Sequence, residues 1–488
     1  MGAGPGGNSA TNGGPLNEPR QQGAEELQRA LGPFDATMVV VGGIIGAGIF
    51  INPYIVAQRL ESPTLVLAAW VAGGLVAVAG ALTFAELGAW RPKAGGHYAY
   101  LREAFHPLLG FLYGWALLFM IETGAIAAVS ITFSEYTLRL VGREAVDALP
   151  LAVLSILVVG GINALGVKPG SRVLNLFVVL KVAALGVLIV AGLFLPLSGE
   201  GPGGAAEALG GMVPDPLAGG AVDPLAGEAG AGGLGGSGRA LWAFGAALIP
   251  IMFTYGGWQN ANYVAEEIRD PRRNLPRSLL IGTALVVVVY LLANGAYLRT
   301  LGHGGLAGTL TPAADSARAV MGPAGDRFLA LAISISTFGF LNLTMLAPTR
   351  VYYAMARDGV FFPGVSRLHP RFRSPTRAIF LQTAWALVLV LTGSYAQLVD
   401  YVVFADWIFF GLAGASVFVF RKRMPMADRP PGTFSTPGYP LVPAAFTGAA
   451  FLIVLSVLLT NPLRSGLGLA LLATGIPAYH YWKKRHGS

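Results

Sequence analysis

The sequence predicts an all-α membrane protein of twelve transmembrane helices, and three observations lead there. Of its 488 residues, 54% are hydrophobic and only 12% are charged, whereas soluble domains carry about 25% charged residues. Twelve apolar runs are long enough to cross ~30 Å of hydrocarbon. They fall at about 36–58, 64–90, 107–135, 149–166, 172–197, 240–265, 278–300, 326–355, 376–393, 398–420, 440–460 and 463–482. The first and sixth runs are interrupted by glycines, as expected where two five-helix repeats of opposite orientation form a core. The last two runs then stand outside that 5+5 arrangement.

Taken in order, residues 1–35 are rich in Gly, Asn and Gln and lack the apolar core of a signal peptide, so a disordered cytosolic tail is expected. The first run carries GGIIGAGIF at 42–50, with four glycines in seven residues. Each glycine costs a helix interior roughly 1 kcal/mol relative to alanine, so something must offset that. Gly42 and Gly46 also form a G-x-x-x-G pair, which in membranes often marks close helix contact. The first five runs make one repeat, 36–197. Residues 198–238 hold five acids, no base and the pentapeptide DPLAG twice, a composition that cannot build a core; a flexible external loop is expected. The sixth run, at 240–265, contains FTYGGWQNAN and opens the second repeat, 239–420. Residues 421–488 hold the last two runs and the C-terminus.

Placing the N-terminus in the cytosol puts 23 of the 33 Lys and Arg residues in inside segments and eight in outside ones, with Lys181 and Arg350 inside runs. Inside loops carry the basic excess in membrane proteins, so both termini are expected to be cytosolic, in a cell membrane. The +8 net charge lies in these short loops, which argues against nucleic acid as a partner.

Unwound backbone survives inside a bilayer only where it is buried in protein or lines a cavity. A broken helix frees N–H groups at the start of one half, where the dipole favours a carboxylate. It frees carbonyls at the end of the other half, suited to an ammonium. A ligand with both charges on one carbon, an α-amino acid, matches that pair, and glycine lets it approach the backbone closely.

Four stretches carry a family resemblance: GGIIGAGIFINP (42–53), AELGAWRPKAGGHYAYLREAFHPLLGFLYGW (85–115), FTYGGWQNANYVAEEIRDPRRNLPRSL (253–279) and APTRVYYAMARDGVFFP (347–363). The chain resembles the amino acid–polyamine–organocation superfamily, and within it a bacterial relative of the L-type amino acid transporters. That resemblance implies the LeuT-like fold, with the two glycine breaks facing each other, and transport by alternating access. It implies that the N–H groups of Ala47 and Gly48, beside Gly46, hold the substrate carboxylate. The carbonyls of Ile44, Phe253 and Gly256 take the ammonium, and Phe253 also acts as a gate. Many relatives carry Ser or Thr where this chain has Ala47, so carboxylate binding here would rest on backbone alone.

Lys181 sits midway along an apolar run, where a lysine costs roughly 2.5–3.5 kcal/mol and is a functional hypothesis by default. The sharper reading, supported by the resemblance, places its ammonium where sodium-coupled members of the fold hold sodium, against carbonyls of the first run and a hydroxyl such as Ser336. Sodium-independent exchange or facilitated transport follows, with proton coupling the alternative. The bland reading is a structural pair with a carboxylate such as Glu122. Glu122 itself either lines the cavity and favours cationic ligands or pairs with a neighbour. Asp406 reads as a structural hydrogen-bond anchor, Glu86 as a loop cap or gate partner, and Arg350 as a side chain snorkelling inward. Glu266 and Glu267 read as a solvated charge run, with a gate role implied only by the resemblance.

The side-chain pocket reads as mostly apolar, with Phe253, Tyr255, Trp258, Ala125 and Ala128 as candidates. That points to neutral amino acids, with cationic ones the alternative because of Glu122. Six scattered His and no Cys leave no catalytic residue set, no metal site and no cofactor motif to build on. An enzyme is therefore not expected, nor any disulfide-linked partner subunit. A receptor that binds amino acids without moving them would use the same residues.

Overall fold

The computed structural model describes residues 27–143, 145–197, 236–393, 395–425, 429–460 and 462–486. The long loop expected at 198–238 lies almost wholly outside the described residues.

In chain order the helices are α1 (Pro33–Ile44), α2 (Gly48–Ile51), α3 (Pro53–Arg59), α4 (Pro63–Trp90), α5 (His97–Ala104), α6 (Pro107–Ala116) and α7 (Glu122–Leu140). A π-helical turn, Leu117–Ile121, joins α6 to α7. There follow α8 (Leu149–Ala164), α9 (Val167–Phe194), α10 (Gly236–Tyr255), α11 (Asn260–Tyr263), α12 (Pro271–Gly308) and α13 (Pro312–Met321). The remainder are α14 (Ala324–Leu346), α15 (Thr349–Arg357), α16 (Thr376–Thr392), α17 (Tyr395–Arg423), α18 (Leu441–Thr460), α19 (Pro462–Ala473) and α20 (Gly475–His486). Proline opens α1, α3, α4, α6, α12 and α13, where its missing N–H would have had no partner anyway.

Six helices or helix pairs among the described residues are long and apolar enough to cross a membrane. Several expected spans are shorter or interrupted. The run at 463–482 is two twelve-residue helices, α19 and α20. The run at 326–355 breaks between α14 and α15, at Ala347-Pro348; the proline has no N–H for the Thr344 carbonyl, which accepts from Gln382 Nε2 at 2.7 Å instead. Outward-facing Leu75, Phe194, Phe380 and Leu463 are all more than 60% exposed. An apolar rim of that kind suits lipid.

Inside the rim, α12 packs on α4 and α1, and α14 on α7 and α9, while α17 packs on α18 and α7. Of the expected tail, residues 27–35 are described and packed, with Leu27 and Leu31 buried. The reason is a backbone pairing: Leu31 N–H donates to Glu267 O at 3.0 Å, and Arg269 N–H donates to Leu31 O at 2.9 Å. Asp35 then caps α1 through Gly32 N–H (2.8 Å) and accepts from Asn175 of α9 (2.6 Å).

Candidate functional site

The first break, Ile45–Ala47, separates α1 from α2, and α2 continues through helical Asn52 into α3. The second, Gly256–Gln259, separates α10 from α11. The breaks meet backbone to backbone. Gly257 has φ +115°, and a Cβ there would overlap the Gly43 carbonyl and lie 2.9 Å from the Ile44 nitrogen. Gly43 reciprocates, since its own Cβ would overlap the Gly257 carbonyl. These two glycines are required by contact. Gly46 is different: the nearest heavy atom to its Cβ would be Phe340, at 3.9 Å, so it leaves open space instead.

Local side chains satisfy much of the freed backbone. Gln259 accepts from Gly257 N–H at 2.9 Å, and Asn260 Nδ2 donates to Gly257 O at 3.0 Å. Pro250 inside α10 has no N–H for the Ala246 carbonyl, and Arg59 Nη1 donates to that carbonyl at 2.6 Å. Asn52 Nδ2 donates to Thr254 Oγ1 (2.6 Å) and to Pro250 O (3.2 Å), tying α2–α3 to α10. Lys181, buried in α9, donates to Gly42 O at 2.8 Å and Ile45 O at 2.5 Å. The Lys181–Glu122 pair weighed above does not form. Nor does Lys181 reach Ser336, whose Oγ is buried without a partner; the Gly42 and Ile45 carbonyls alone take the ammonium.

Between the breaks lies a cavity of about 230 Å³. Ile44, Gly46, Ala47, Gly48, Phe253 and Gly256 line it, as do Glu122, Ala125 and Ala128 of α7. Phe253 is 42% exposed, so its ring is not packed into the core. The N–H groups at the head of α2 have no acceptor within their own helix. The Ile44 carbonyl, expected to take an ammonium, already accepts from Gly46 N–H and Tyr290 OH, both at 2.9 Å. The Phe253 carbonyl accepts only Gly256 N–H, at 3.2 Å, and keeps a lone pair.

Two pocket candidates point elsewhere. Tyr255 packs between Trp70 and Tyr290 and donates to Trp70 O at 3.3 Å. Trp258 sits among Phe84, Phe410 and Phe446 and donates to Ala77 O at 3.1 Å. Each polar handle finds its partner on α4, which draws the ring away from the cavity. The aromatic wall is built instead from Phe340, Trp407 and Phe410, with Thr337 and Thr344 beside it. The threonines are polar breaks in the apolar run of α14, but nothing in the sequence separated these aromatics from many others.

The charged residues differ from expectation too. Arg350 does not snorkel; it is fully buried and pairs with buried Glu267, Nε to Oε1 at 2.5 Å and Nη2 to Oε2 at 3.3 Å. Glu266 accepts from Ala94 N–H at 3.0 Å and pairs with Arg357. Glu86 gathers Arg421, Arg429 and the Thr436 N–H, all within 2.8 Å. Asp406 is no structural anchor: its Oδ1 is buried without a partner, and it lines the cavity.

The sequence matches the Amino acid permease family over residues 31–471. The chain belongs to that family, within the amino acid–polyamine–organocation superfamily. It is 30% identical to the Serine/threonine exchanger SteT of Bacillus subtilis (strain 168), covering 95% of this chain and 98% of the relative. It is also 30% identical to the human Large neutral amino acids transporter small subunit 2, over 95% of this chain and 82% of the relative. The human b(0,+)-type amino acid transporter 1 is 32% identical, over 89% and 84%. The permease is thus a multi-pass membrane transporter of amino acids and not an enzyme. Without cysteine it can form no disulfide to a partner subunit.

Proposed function

We propose that this permease moves L-α-amino acids across the cytoplasmic membrane by alternating access, independently of sodium, as an exchanger or facilitator. The substrate carboxylate docks on the N–H groups of Ala47 and Gly48, and its ammonium on the carbonyls of Phe253 and Gly256. Phe253 gates the cavity. One observation carries the reading: two facing helix breaks border a cavity, and Lys181 donates to the carbonyls of Gly42 in α1 and Ile45 in the first break. A fixed ammonium there supplies the positive charge that a bound sodium would otherwise bring.

The excess of Lys and Arg in alternate loops supports a cytosolic position for both termini. Proteoliposomes test the proposal. Labelled amino acid should accumulate equally in sodium and choline buffers, and faster when unlabelled amino acid is preloaded. Uptake that requires sodium would refute the assignment of Lys181. Binding without accumulation would make the protein a receptor, and uptake abolished by collapsing the proton gradient would make it a symporter.

A further inference from the structure

Glu122 is 7% exposed, lines the cavity and has no hydrogen-bond or salt-bridge partner among the described residues. Asp406 lines the same cavity, with its Oδ1 buried and unpartnered. The two carboxylates come from α7 and α17, which pack together, and both border the one cavity. Among the described residues lining the cavity there is no Lys, Arg or His. Lys181 is committed to the Gly42 and Ile45 carbonyls.

Burying one uncompensated carboxylate is costly, and two facing one space cost more. The chain also departs from a regular helix at this point. The π turn Leu117–Ile121 ends where Glu122 begins, and Thr123 Oγ1 donates to Leu118 O at 2.6 Å within the widened turn. Such turns recur at functional sites. Meanwhile Tyr255 and Trp258, two of the apolar residues that argued for neutral substrates, lie outside the cavity.

We infer that the side-chain end of the cavity takes a cation: the substrate is an α-amino acid whose side chain ends in an ammonium or guanidinium held by Glu122 and Asp406. The inference rests on the cavity being the amino-acid site. Cationic side chains gain a partner there, and anionic ones meet like charge.

Lysine against norleucine, and arginine against citrulline, are pairs of similar length that differ in the terminal charge. In proteoliposomes of the full chain, lysine and arginine should compete for uptake at least tenfold better than norleucine and citrulline. Glu122→Gln and Asp406→Asn should each cut that preference tenfold or more, and Glu122→Asp should restore part of it. The wild-type comparison stands even if a variant fails to fold. Norleucine competing as well as lysine overturns the inference, while its accumulation leaves the transport reading intact. Norleucine uptake driven by a proton gradient overturns it too, because the carboxylates would then carry a proton. If none of the twenty amino acids accumulates, both readings fall.

Discussion

Gly257→Ala tests whether the breaks depend on contact or merely on flexibility. The new methyl would overlap the Gly43 carbonyl and come within 2.9 Å of the Ile44 nitrogen. Both neighbours are backbone, so no side chain can swing aside. Relieving the overlap requires the two broken helices to part, and overpacking of that kind costs about 1–3 kcal/mol. The φ of +115° adds about 1–3 kcal/mol for a residue with a Cβ. Together these make about 2–6 kcal/mol, a large share of the ~5–15 kcal/mol that holds a typical fold. The comparison variant is Gly46→Ala, whose Cβ has 3.9 Å of clearance. Thermal unfolding in detergent should show a clearly lowered midpoint for Gly257→Ala and little change for Gly46→Ala. The latter should instead raise the substrate KM, because its methyl enters the cavity. A Gly257→Ala protein with wild-type midpoint and uptake would refute the close contact.

Lys181→Met removes two charge-assisted hydrogen bonds worth about 1.5–3 kcal/mol each, offset by relief of roughly 2.5–3.5 kcal/mol for holding the charge at that depth. The net loss is at most about 3.5 kcal/mol, so the unfolding midpoint should fall only in part while uptake falls tenfold or more; uptake within twofold of wild type would remove Lys181 from the mechanism. Glu267→Gln leaves the buried Arg350 charge unmatched and should cost about 3–5 kcal/mol, and adding Arg350→Met should recover at least half of that by thermal unfolding. His97, outside the spans, is buried with both ring nitrogens unpartnered, and burial pushes its imidazole down to about 3. The folded chain keeps it neutral while the unfolded chain binds a proton near pH ~6.5. Its contribution is therefore intact above about pH 7 and lost as the pH falls, by about 2 kcal/mol at pH 5. His97→Phe should flatten the fall in midpoint between pH 7.5 and 5, and an unchanged slope would contradict this.

The breaks were legible because glycine in an apolar run is a local, costly signal, and Lys181 because a charge at that depth is conspicuous. Side-chain direction was not legible. Tyr255 adjoins the second break and Trp258 lies within it, both nearer to it than Phe253 is, and only the position of α4 decides that their polar ends turn away. The Arg350–Glu267 pair spans 83 residues, so each charge was visible but their meeting was not. The π turn before Glu122 has no sequence signature, since Leu117–Ile121 would also suit an ordinary helix. Ser336 fell short for a similar reason: its place on α14 was readable, but the reach of the Lys181 side chain was not.

The short pairing of Leu31 with residues 267–269 fastens the root of one broken helix to the turn that closes the other. The residue that receives Leu31 through its carbonyl, Glu267, grips Arg350 through its carboxylate. Three distant segments are thus knotted at one point. If the two broken helices rock during a transport cycle, they must rock at this end as one lever. Trimming the chain past Leu31 would cut the tie while leaving every group around the cavity in place.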